Sequence, residues 1–112
     1  FMPGAGSLSA ALQAASGAAP VVIGKPSAIL MDYALRKAGV RAEAAWVVGD
    51  NPFTDIAAAA GSGCPSVLTL TGLCSEKDWQ EKCRAAGVVP DTVCASLDEL
   101  ISRLPAPNTR KE

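Results

Sequence analysis

Short, unbroken apolar runs that alternate with helical segments constrain this chain more than any other feature. Val21-Val22-Ile23, Ala45-Trp46-Val47-Val48, Val67-Leu68-Thr69-Leu70 and Thr92-Val93-Cys94 show no polar alternation, the pattern of strands covered on both faces of a parallel sheet. The segments between them have helical spacing. Leu8, Ala11, Leu12 and Ala15 mark a helix over 7–15, and Ser27 opens a second that runs through Ile29, Leu30, Tyr33, Ala34 and Ala38 to Gly39. An Ala-rich helix is expected over 53–60, closed by Gly61 and Gly63. Ser75 and Asp78 form a capping box before a helix over 79–86, and Ser96 caps a last helix with Leu97, Leu100, Ile101 and Leu104. This alternation predicts right-handed βαβ crossovers and an α/β, Rossmann-like parallel sheet with flanking helices.

At 112 residues the chain has room for one domain, expected over 1–104, with a polar tail over 105–112. The composition is 49% apolar but 4% aromatic, so the core must be built from Ala, Val, Leu and Ile, and disorder is excluded. Ten basic and eleven acidic residues, in no long block, exclude an electrostatic nucleic-acid binder. Every apolar stretch is far shorter than the ~18 residues a membrane helix needs. Phe1 to Gly17 has no basic leader and does not read as a secretory signal. Cys64, Cys74, Cys83 and Cys94 contain no C-x-x-C pair and no histidine is present, which argues against zinc or iron–sulfur ligation. Reduced, buried thiols in a cytoplasmic protein are the expectation, with an organelle left open.

In a doubly wound sheet, ligands bind beyond the carboxyl ends of the strands. Two charged residues fall there: Lys25 after 21–23, and Asp50 after 45–48. Taken singly, the lysine is a solvated charge and Asp50-Asn51-Pro52 is ordinary turn chemistry. Taken together, Gly24-Lys25-Pro26-Ser27 and Val47-Val48-Gly49-Asp50-Asn51-Pro52-Phe53-Thr54-Asp55-Ile56 put one cation and two carboxylates on a single rim.

These two motifs resemble those of the haloacid dehalogenase-like phosphatases. More narrowly, the chain resembles the C-terminal half of the p-nitrophenylphosphatase and phosphoglycolate phosphatase branch (class IIA, NagD-like), from about Pro3 to Leu104. The resemblance implies Mg²⁺-dependent hydrolysis of a small phosphomonoester through an aspartyl-phosphate. It gives Lys25 the role of the catalytic and phosphate-binding motif III lysine, and Asp50 that of the motif IV metal ligand. Asp55 becomes the catalytic carboxylate that orients the metal site and the lysine, with Asn51 on the substrate side and Thr54 as a polar support in the turn. A hard dication and a phosphoryl group in transfer both call for such fixed charges.

The family opens with an Asp-x-Asp motif carrying the nucleophile and the general acid. Asp32, Asp50, Asp55, Asp78, Asp91 and Asp98 include no pair two apart, and no Ser or Thr stands for motif II. The chain is therefore expected to supply part of a site and to be inactive alone, with the nucleophile and the cap upstream of residue 1. The strands at 45–48, 67–70 and 92–94 should lie side by side and parallel, with an open edge beyond 45–48 that invites self-association. The alternative is an autonomous α/β binding or scaffold module without catalysis. Against a nucleotide module, Gly4-Ala5-Gly6-Ser7 lacks a following Gly-Lys-Thr, and no Gly-x-Gly-x-x-Gly follows a strand.

Overall fold

Three parallel strands in the order β1-β2-β3 form the sheet: β1 (Val47–Gly49), β2 (Ser66–Thr69) and β3 (Thr92–Cys94). The computed structural model describes residues 3–104. Val47 pairs with Ser66 and Val67 with Thr92, so the expected order and direction hold and the α/β class is observed. The tail expected over 105–112 lies outside the described residues.

Among the described residues five α-helices accompany the sheet: α1 (Ala5–Ser16), α2 (Ile29–Ala38), α3 (Ala57–Ser62), α4 (Trp79–Ala86) and α5 (Leu97–Arg103). Gly17, Gly39, Gly63 and Gly87 end the first four in the left-handed conformation, where a Cβ would be strained. Ser96 caps α5 by accepting from the Glu99 N–H at 3.2 Å, while Glu99 Oε2 takes the Ala95 N–H at 2.6 Å. The box before α4 is rearranged. Asp78 reaches back to the Ser75 N–H and hydroxyl, but it is Asp78, not Ser75, that stands at the helix N-cap. Likewise Ala28 rather than Ser27 precedes α2, and the Ser27 hydroxyl accepts from the Ile29 N–H at 3.3 Å.

The core is small-residue, as the low aromatic content requires. Ile56, Leu68, Cys74 and Cys83 pack with Leu70, Trp79, Val88 and Val93 in one cluster. Val47, Ala59 and Cys64 pack with Met31, Leu35, Ala42 and Ala45 in a second. All four cysteines are free and buried, as expected of reduced thiols. Burial pushes the Cys74 and Cys83 thiols up, away from the reactive thiolate.

Two expectations are corrected. Val21-Val22-Ile23 is not a buried strand; the three residues have no ladder and are 77%, 55% and 57% exposed. An apolar run becomes a strand only when a neighbour supplies the ladder, and among the described residues none lies beside it. Nor is β1 covered on both faces. Val47 is buried under α2 and α3, but Trp46 and Val48 point to the opposite face and are 56% and 41% exposed. There, Leu100 of α5 and Leu104, the residue after it, form with them an apolar cleft of about 240 Å³. β1 pairs with β2 alone, so its outer edge is open among the described residues. Helix α1 has no buried residue at all. The radius of gyration, 16.7 Å, exceeds the roughly 13 Å of a packed domain of this length.

A polar link joins the start of β2 to the residue before β3, at the opposite end from the rim. Asp91 Oδ2 accepts from the Ser66 N–H and hydroxyl at 2.8 and 2.9 Å, and the Ser66 hydroxyl accepts from the Asp91 N–H. These donors hold the Asp91 carboxyl below its ordinary value, and the hydrogen bond from Lys82, with those from Ser75, holds Asp78 down to about 2. A carboxylate depressed in the folded state stabilises above its unfolded value near 3.8 and loses that contribution as pH falls through 2. Stability should therefore fall between about pH 4 and pH 2, and Asp78→Asn should flatten that fall in urea melts taken at each pH.

Candidate active site

The rim residues meet at the carboxyl end of β1. Gly49 closes the strand, Asp50 follows, and Asn51 turns the chain into one π-helical turn, Pro52–Ile56. The turn is built by a single acceptor: the Asn51 carbonyl takes the N–H groups of Thr54, Asp55 and Ile56 at 3.3, 2.8 and 3.4 Å. Asn51 Oδ1 accepts from the Phe53 N–H at 3.0 Å, and Pro52, lacking an N–H, costs nothing at the first position. This wide turn swings Asp55 back under the end of the strand it follows.

Asp55 is the hub. Its Oδ1 accepts from Lys25 Nζ at 2.5 Å, and its Oδ2 accepts from the Asp50 and Asn51 N–H groups at 3.2 and 3.1 Å. The Asp55 side chain is 9% exposed and that of Lys25 49%, so a buried anion anchors a cation whose head still faces solvent. The approach is close enough that Gly49 admits no Cβ, which would overlap the Asp55 side chain.

Asp50 is held from the other side by the loop after β2. Its Oδ2 accepts from the Leu73 N–H at 2.8 Å, and a Cβ on Gly72 would overlap that same carboxylate. Oδ1 has no hydrogen-bond partner among the described residues. The structure thus brings Lys25, Asp50, Asn51 and Asp55 to one place, while Thr54 supports the turn through its backbone. It separates two kinds of carboxylate: both Asp55 oxygens are engaged, whereas Asp50 keeps one oxygen free for a cation. Among the described residues no group of three acidic, Cys or His side chains converges, so one carboxylate of a Mg²⁺ shell is what this rim offers. The donor set fits a hard cation in kind but supplies a minority of its ligands.

Sequence spacing missed Gly72, Leu73 and Lys82. The Leu73–Asp50 contact spans 23 residues, and the only local sign of it was a glycine after an apolar run.

Comparison with known proteins decides the family. The HAD-hydrolase-like family model matches residues 22–100, most of the described chain and both rim motifs. The chain belongs to the haloacid dehalogenase-like hydrolases. It is 34% identical over 105 residues to phosphoglycolate phosphatase 2 of Arabidopsis thaliana, covering 94% of this chain and 34% of that protein. Among solved structures, the p-nitrophenyl phosphatase from Archaeoglobus fulgidus superposes with a TM-score of 0.84 at 36% identity, over 92% of this chain and 40% of that one. The glycerol phosphate phosphatase from Mycobacterium tuberculosis, in complex with magnesium, superposes at 0.69 with 40% identity, over 88% of this chain and 29% of that one. The branch is the one the rim motifs resembled, and the chain spans about a third of the length of these relatives.

Proposed function

We propose that this chain carries the lysine and metal-carboxylate part of a Mg²⁺-dependent phosphomonoester phosphatase site, completed by a nucleophile-bearing segment outside these 112 residues. The observation that carries the reading is the Asp55 hub, which fixes a cation and a free carboxylate oxygen on one rim. Lys25 Nζ binds the phosphoryl oxygens and balances the negative charge that builds as the group transfers to an aspartate and then to water. Asp55 orients Lys25 and, through two amides, Asp50. Asp50 Oδ1 is the atom that would hold Mg²⁺, which when bound adds positive charge against the phosphate. Asn51 spends Oδ1 in the turn, leaving its Nδ2 as the group that could face substrate.

The substrate is a small phosphorylated molecule, a reading supported by the names of the relatives: phosphoglycolate, p-nitrophenyl phosphate and glycerol phosphate phosphatases. A cytoplasmic setting is part of the proposal and is supported by four free, buried thiols. No helix among the described residues is long and apolar enough to cross a membrane. The completing segment is proposed to dock on the open edge of β1, which pairs with no strand but β2 among the described residues. When that edge is unpartnered the chain should self-associate, its sedimentation rate rising with concentration, and Val48→Lys should suppress the rise.

A chimera tests the function. The matched 40% of the Archaeoglobus fulgidus phosphatase is replaced by this chain. The hybrid should hydrolyse p-nitrophenyl phosphate with Mg²⁺ and lose that activity on chelation. A folded hybrid without Mg²⁺-dependent turnover would refute the proposal.

A further inference from the structure

The loop between β2 and α4 must hold one amide still. Leu73 N–H is aimed at Asp50 Oδ2, and on its N-terminal side packing does little to fix it: the Leu73 side chain is 59% exposed and Gly72 has none, while the buried Cys74 anchors the chain one residue on. A polar brace takes that place. Lys82 Nζ donates to the Leu73 carbonyl and pairs with Asp78 Oδ2 at 2.7 Å. Asp78 Oδ1 in turn accepts from the Ser75 N–H and hydroxyl at 2.7 and 2.9 Å, tying the far end of the loop to the start of α4. Residue 73 is thus gripped by its carbonyl while its N–H grips Asp50.

We infer that Lys82 and Asp78 are positioning residues for the metal carboxylate: through Leu73 they hold Asp50 Oδ2, so that Oδ1 faces the cation. The inference rests on the proposed reading of Asp50 as a Mg²⁺ ligand. It assigns a role to two residues of α4 and its cap that contact neither metal nor substrate. Partners that orient a metal ligand commonly govern tenfold or more in affinity. Lys82 and Asp78 are 35% and 39% exposed, so a smaller factor is expected here.

The test uses the 112-residue chain, labelled with ¹⁵N, as wild type, Lys82→Met, Lys82→Arg and Asp78→Asn. Two quantities are read: hydrogen exchange at the Leu73 amide, and the affinity for Mg²⁺ alone from amide shifts at Asp50 and Leu73. Lys82→Met should speed Leu73 exchange and weaken Mg²⁺ binding by about threefold to tenfold. Asp78→Asn should do so by less, and Lys82→Arg should restore both quantities. Wild-type values of both in Lys82→Met would overturn the inference. So would parallel losses in Lys82→Met and Lys82→Arg that track a lowered melting temperature, since that is a structural role. No Mg²⁺ response in the wild type would overturn the Asp50 ligand reading and the metal role of the brace with it. In that case Leu73 exchange alone still decides whether Lys82 holds the amide, so the two failures are distinct.

Discussion

Lys25→Ala and Asp50→Asn, made singly in the chimera, should each lower turnover of p-nitrophenyl phosphate by roughly two orders of magnitude or more. Each removes a charge that is fixed before the reaction starts. The two losses should differ in kind. Lys25 Nζ faces both Asp55 and solvent, so its loss removes charge stabilisation and should appear in kcat at any Mg²⁺ concentration. Asp50 has one free oxygen, so Asn at that position should first raise the Mg²⁺ requirement, and added Mg²⁺ should recover part of the rate. Assays across a Mg²⁺ series separate the two. Equal, Mg²⁺-independent losses would show that Asp50 supports the fold rather than a metal.

Asp55→Ala should be the most damaging single change to the isolated chain's stability at this rim. It leaves two amides at the end of β1 without their acceptor and a lysine without its anion. A fully buried pair broken this way costs about 3–5 kcal/mol, but Lys25 can turn to water, so about 2 kcal/mol is expected. Asp55→Asn keeps an acceptor for the amides while losing the ion pair, and should cost about half as much. Urea melts of both variants, alone and combined with Lys25→Ala, measure the coupling directly. Additive losses would mean that Lys25 and Asp55 are neighbours without energetic linkage.

Most of the rim was legible because its residues are local; Lys25 is not, since it reaches Asp55 across 30 residues from a segment expected as a strand that forms none. Asp50, Asn51 and Asp55 lie within one turn after an apolar run, and a strand end is where a parallel sheet presents charge to a ligand. The three strands at the C-terminal side were legible too, since β2 is buried along its whole length and its run has no polar break. Val21-Val22-Ile23 looked the same as those runs and is not a strand. Apolar patterning reports that a segment gains by burial, whereas a strand exists only with a partner. The same limit applies to β1, whose Trp46 and Val48 read as core and stand exposed. The grip on Asp50 was illegible for a different reason. Backbone donors such as the Leu73 N–H carry no residue identity, and Lys82 reads as a solvated helix charge until the loop is seen folded against it.

The most direct measurement is made on the purified 112-residue chain with Mg²⁺ and p-nitrophenyl phosphate. None of its six aspartates forms an Asp-x-Asp pair and it has no histidine to move the proton. The predicted result is release of p-nitrophenol no faster than in buffer containing the same Mg²⁺, with turnover appearing once the nucleophile-bearing segment of a relative is supplied. Clear turnover by the chain alone, lost in Asp50→Asn, would mean that these residues hold a nucleophile of their own and would contradict a site completed from outside.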